Sequence, residues 1–185
     1  MEMGQPKEAV PHYLKAIERR QDDPELHFKL GLAYLRSREL GKGISSLEFS
    51  IQLRSTPLAH YNLGNALLGA GKVKEAMANY SAAIELDPNL IPAANNLAWL
   101  LSTNLNDDLR DGARAVELAR KICALPAQRT PSSLDTLGVA YAEAGRFPEA
   151  IKAVNEALTL LQNPIDRASF QKRLSLYESR KPHRE

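Results

Sequence analysis

The sequence predicts an all-α fold, a solenoid of stacked helical hairpins ending in a C-terminal capping helix, and three observations predict it. Small residues recur in a column, with Gly31, Gly64, Ala98 and Gly138 spaced by 33, 34 and 40 residues. A second column (Ala9, Gly43, Ala76, Ala115, Ala150) and a third (Ala16, Ser50, Ala83, Ile122, Ala157) move in register, both with spacings of 34, 33, 39 and 35. Around these columns the large apolar residues follow helical steps of three and four, so each unit carries two amphipathic helices. Units of this length cannot bury their apolar face alone and must stack on a neighbour.

Residues 1–23 read as half a unit. Gly4-Gln-Pro-Lys-Glu-Ala9 corresponds to the turn and second helix of a hairpin whose first helix is missing. Pro11 removes an intrahelical hydrogen bond unless the helix begins near it. A start in mid-repeat suggests a piece of a longer protein, or an end covered by a partner. Residues 24–56 form the first full hairpin, with Gly43 and Ser50 in the small columns. Residues 57–90 form the second, where Gly71-Lys72 supplies the turn and Asp87-Pro88 closes the unit.

Residues 91–130 spend extra residues between their helices, at 104–111, with Asp111 as the expected N-cap of the helix that follows. Residues 131–163 form a fourth hairpin with a Gly145-Arg146 turn. In the first helix of each hairpin a Leu precedes the small residue (Leu30, Leu63, Leu97, Leu137), and a large residue follows three positions later (Tyr34, Leu67, Leu101, Tyr141). Residues 164–185 hold a last helix with Phe170, Leu174 and Tyr177 on one face, which caps the array, then a tail expected to be frayed and solvated.

"HYNLGNALLGAGKVKEAMANYSAAIELDP" (60–88) and "LDTLGVAYAEAGRFPEAIKAVNEAL" (134–158) resemble the tetratricopeptide repeat family, whose pattern has a large residue, Leu-Gly, Tyr, Ala, Phe and Pro on a period of about 34 residues. The resemblance covers most of the chain and is weakest over 24–55. It implies a right-handed α-α superhelix and a protein or peptide partner held in a concave groove lined by the first helices. The Asn-Asn-Leu-Ala-Trp unit is similar to arrays common in bacterial proteins.

Composition narrows the function classes. With 44% hydrophobic and 25% charged residues the chain is too apolar to stay disordered. A net charge of +2 is too mild to call for nucleic acid. The longest apolar run, 97–101, is far short of a membrane span, and the start lacks the regions of a signal peptide, so the expectation is a cytoplasmic chain with no membrane insertion, the periplasm being the alternative. The single Cys123 has no disulfide partner and sits in an apolar helical context, as an inert core thiol does.

Catalytic and metal motifs are not evident, and no cofactor is expected. His27 and His60 lie one repeat apart, at a packing position, without a third ligand. The acidic run at 106–111 places Leu109 where a calcium loop needs a ligand and lacks the distal Glu. The glycines are taken by the repeat, and no nucleophile elbow or phosphate loop is present.

The residues that the core pattern leaves unused on the first helices are the candidate site, a peptide-binding groove. They are Phe28, Lys29, Leu32 and Arg36, then Tyr61, Asn62 and Asn65, then Asn95, Asn96 and Trp99, and last Asp135, Thr136 and Val139. An amide can donate to a peptide carbonyl and accept from a peptide N–H, which suits the equivalent Asn62 and Asn96 to an extended backbone. Two readings stand for the asparagines: a ladder for a guest chain, or the repeat pattern alone. Two also stand for Trp99: an interface anchor, or a ring packed under the 104–111 loop. The family's basic clamp for a C-terminal carboxylate is not matched, since Phe28, Leu32, Ser132 and Thr136 stand in its places. Two other roles are open. The apolar edge at Val10, Leu14 and Ile17 could dock on a second copy to make a homo-oligomer, and the array could be the regulatory or substrate-presenting part of a larger enzyme such as a glycosyltransferase.

Overall fold

A computed structural model describes residues 6–185, apart from the side chains of residues 6, 7 and 164–166. The turn expected at Gly4 and Gln5 lies outside these residues. Among the described residues, ten α-helices and two short 3-10 turns make up the regular structure, as the helical periodicity requires. The chain divides into two compact units, Met1–Leu90 and Ile91–Glu185.

The first unit holds α1 (Pro6–Arg19), α2 (Pro24–Arg36), α3 (Leu40–Leu53), α4 (Pro57–Gly69) and α5 (Val73–Leu86). Helices α2 with α3 and α4 with α5 form antiparallel hairpins, α1 packs on α2, and α3 packs on α4. Helix α1 continues through Pro11, whose ring falls within the first two turns and deletes one backbone donor. The hairpins start alike. Asp23 and Thr56 cap α2 and α4 by accepting from the N–H groups of Leu26 (3.2 Å) and Ala59 (3.3 Å), and Pro24 and Pro57 supply a preset φ at the first helical position.

The small columns mark the closest approach of the helices. A Cβ at Gly64 would lie 2.7 Å from the ring of Tyr80, which is itself fully buried. Ser50 stands where three of the other units have Ala and is accommodated by donating its hydroxyl to the Pro24 carbonyl at 2.7 Å. Leu30, Leu47, Leu63, Leu67 and Met77 fill the space between the helices.

The second unit holds α6 (Ile91–Thr103), α7 (Gly112–Cys123), α8 (Pro131–Glu143), α9 (Phe147–Leu160) and α10 (Pro164–Glu178), with 3-10 turns at Asp107–Leu109 and Pro126–Gln128. Each helix packs on the next, and α6 also lies against α8. Asp111 caps α7 by accepting from the N–H of Arg114 at 2.9 Å, as its position predicts. Arg110 pins the long loop: its guanidinium donates to the Asn104 carbonyl (2.8 Å) and to Glu143 at the end of α8 (2.9 Å). Phe170 and Tyr177 of α10 are buried, so α10 covers the end of the unit as a cap.

Four helices end in one geometry. The N–H groups of Glu39, Lys72, Arg146 and Lys181 donate five residues back, to the carbonyls of Tyr34, Leu67, Tyr141 and Leu176. The residue before each is left-handed: Arg38 (φ 65), Gly71 (φ 75), Gly145 (φ 73) and Arg180 (φ 54). This is the Schellman termination. At the first three it folds the chain into the next helix of a hairpin. At Arg180 it reverses the tail, which is therefore not frayed but returns to the second unit.

Candidate functional site

In the first unit α2 and α4 are neighbours, and their Leu and Gly positions face inward to α3 and α5. Phe28, Tyr61 and Asn62 are half-buried, and Lys29, Arg36 and Asn65 are exposed. Phe28 lines an open cleft with Pro24, Arg54, Leu58 and Leu90. Lys29 pairs along its own helix with Glu25 at 3.3 Å, across an exposed surface where such a pair contributes little. Asn62 donates to the Leu58 carbonyl one turn back (2.7 Å), which leaves its amide oxygen facing outward from that bond. Asn65 accepts from the Tyr80 hydroxyl at 2.7 Å. That bond satisfies the buried phenol, so Asn65 has a structural task whatever else it does.

The histidines serve packing and local bonds. His27 bonds the Gln21 carbonyl (2.7 Å) and meets the Phe49 ring edge-on, and His60 bonds Asn79 and Ser55, each at 2.9 Å. Among the described residues no cluster of three or more His, Cys, Asp or Glu has metal-binding geometry. Burial pushes the Cys123 thiol up from its ordinary pKa, which keeps it protonated and weakly nucleophilic.

The second unit departs from the expected open surface. Asp135, Thr136 and Val139 are buried, 5%, 1% and 1% exposed. The Asp135 carboxylate accepts two hydrogen bonds from Arg173, Nε to Oδ1 at 2.8 Å and Nη2 to Oδ2 at 2.6 Å. Asp135 therefore ties α8 to the cap. Burial raises the Asp135 carboxyl to about 6 against the opposing pull of Arg173. Asn95 and Asn96 are half-buried on α6, and the Asn95 amide oxygen has no hydrogen-bond partner among the described residues.

Trp99 is half-buried, and the chain's own tail lies on it. Its indole N–H donates to the Glu185 carboxylate, the His183 ring lies edge-on at 6.1 Å, and the Arg173 guanidinium sits 5.7 Å over its face. Beside it the Glu185 N–H donates to the Thr103 carbonyl at 2.9 Å, and Arg184 donates to the Ser102 carbonyl at 3.2 Å. Arg184 also makes a close ion pair with Glu143, Nη2 to Oε2 at 2.5 Å, outside the angle of a directed hydrogen bond.

These contacts answer a backbone requirement. A helix leaves its last four carbonyls without intrahelical donors. In α6 those of Leu100 and Leu101 take the N–H groups of Asn104 and Asp111, and those of Ser102 and Thr103 take Arg184 and Glu185. Sequence reasoning missed Ser102, Thr103, Glu143 and the last three residues. The available signal was that α6, unlike α4 and α8, has no glycine just beyond its end to close a Schellman turn.

No helix among the described residues is long and apolar enough to cross a membrane. A family model described as a tetratricopeptide repeat matches residues 57–90, and one described as a TPR repeat matches residues 1–37. A curated relative, BBSome complex member BBS4 of Xenopus tropicalis, is 31% identical over 86 residues, which is 46% of this chain and 17% of that protein. The chain thus spans under a fifth of that relative's length. Among solved structures, a tetratricopeptide repeat protein from Parabacteroides merdae ATCC 43184 superposes with a TM-score of 0.78 at 13% identity, covering 95% of this chain and 68% of that one. YrrB, described as a TPR protein with an unusual peptide-binding site, gives 0.76 at 17% identity, covering 90% and 84%. MamA from Desulfovibrio magneticus RS-1 gives 0.71 at 18% identity, covering 85% and 84%. At these identities the likeness is one of fold.

Proposed function

This chain is a tetratricopeptide repeat protein, and from that premise we propose that it is a protein-interaction scaffold, without chemistry of its own, that takes an extended segment of a partner on the inner faces of its first helices. The fold supports the division of labour this needs. Neighbour-only packing spends Leu, Gly and Ala on stability and leaves the remaining positions of the first helices free to vary. In the first unit these are Phe28, Lys29, Arg36, Tyr61 and Asn62, beside Asn65, which also holds the Tyr80 hydroxyl; in the second they are Asn95, Asn96 and Trp99.

One observation carries the reading. A piece of chain without secondary structure already rests on the end of α6, joined main chain to main chain at Glu185 and Thr103 and side chain to side chain at Trp99. The surface supports that mode of contact with a segment that has no helix of its own. Affinity capture from source-cell lysate, comparing the wild-type chain with a folded Asn62→Ala/Asn96→Ala/Trp99→Ala variant, tests it. A protein retained by the wild type and lost by the variant is expected; identical captures would move the interaction away from these faces.

A second reading, self-assembly, is favoured by α1. None of its described side chains is fully buried, and Leu14 is 43% exposed. Light scattering over a range of concentrations decides it, because a constant monomer mass removes it.

A further inference from the structure

We propose that the end of α6, together with Glu143 of α8, is a binding site for an extended segment in which an arginine is followed directly by an acidic residue, and that the chain's own Arg184-Glu185 holds this site closed. The proposal rests on the scaffold reading and adds to it the ligand class and the regulation of one face.

The site has a distinct part for each feature of that dipeptide. The arginine is met by an acceptor pair, the Ser102 carbonyl at 3.2 Å and the Glu143 carboxylate at 2.5 Å. Glu143 is only 12% exposed and is held from its other side by Arg110. It is therefore fixed in place before any guest arrives. The main-chain N–H of the acidic residue is met by the Thr103 carbonyl, and its carboxylate by the indole N–H of Trp99. An Arg at this point also lies at the negative end of the α6 dipole. Reversing the dipeptide would place a carboxylate directly against the Glu143 carboxylate and the Ser102 carbonyl, both acceptors.

The tail reaches the site because of the left-handed residue Arg180, which turns the chain back as Gly71 and Gly145 do in the hairpins. Only four residues then separate Arg180 from Glu185, so the tail competes at an effective concentration on the order of millimolar. A guest must displace it.

The chain's single tryptophan reports on the site directly. The full-length Arg184→Ala/Glu185→Ala variant should keep its helical content and shift Trp99 emission to the red. Adding the peptide acetyl-Arg-Lys-Pro-His-Arg-Glu-amide should return the emission to the blue saturably, whereas the same peptide with its last two residues exchanged should not. The intact chain should bind the peptide at least about tenfold more weakly than the variant, because its own tail is in place. If the double variant folds poorly, Glu185→Ala alone serves for the same titration. Unchanged emission in the variant, or a peptide that has no effect on it, would overturn the proposal. The peptide is defined and its site lies on α6, so this outcome does not depend on whether lysate capture finds a partner.

Discussion

Arg173 of α10 grips Asp135 of α8 through two parallel hydrogen bonds, of 2.8 and 2.6 Å, with both side chains almost wholly removed from water. The pair joins the cap to the last hairpin at the position where an array of this kind otherwise offers an open inner face. Burial outweighs the guanidinium at this carboxyl, whose pKa rises to about 6 from 3.8. The folded chain therefore binds this proton more tightly than the unfolded chain does. Stability from this group is gained as pH falls from about 6 towards 4, by at most about 1.4 kcal/mol per pH unit. Urea unfolding of the wild type and of Asp135→Asn at pH 7 and pH 5 checks the sign: the wild type should gain relative to the variant on acidification.

The small columns predict a contrast between two glycines of α4. A side chain at Gly64 meets the Tyr80 ring at 2.7 Å, whereas one at Gly69 meets nothing within 4 Å. Gly64→Leu should cost about 1–3 kcal/mol or more by overpacking. Gly69→Ala should be neutral or stabilising by up to ~1 kcal/mol, because it restrains the unfolded chain. Thermal melts of the two variants measure the difference, and equal melting temperatures would contradict the column assignment.

Arg38 adopts the left-handed conformation that Gly71 and Gly145 adopt at the equivalent turns. A residue with a Cβ is strained there, so Arg38→Gly should stabilise the chain by about 0.5–1 kcal/mol. Gly71→Ala and Gly145→Ala should destabilise it by about 1 kcal/mol each. Chemical denaturation of the three variants tests whether the turns are interchangeable.

The hairpins were legible in the sequence because their cause is local and periodic: Gly31, Gly64 and Gly138 must be small wherever two backbones approach, and the same need returns with each unit. Asp111 was legible for the same reason, since a cap acts within three residues. Trp99 was legible as unusual but not in its surroundings. Its partner Glu185 lies 86 positions away, and no periodicity links them. Asp135 and Thr136 occupy inner-face positions by register, yet both are buried, and the Arg173 that holds Asp135 belongs to no repeat column. The reversal at Arg180 was hidden too, because arginine is not the residue that usually announces a left-handed turn.

The central claim is that fold and contact are carried by different residues on the same helix, and adjacent positions of α4 test it most directly. Leu63 is 5% exposed in the core, while Asn62 bonds to its own helix. In paired melting and capture measurements, Leu63→Ala should lose roughly 2–5 kcal/mol of stability, and Asn62→Ala should melt as the wild type does while losing the partner. Equal losses of stability in the two variants, or a partner held undiminished by Asn62→Ala, would contradict the account.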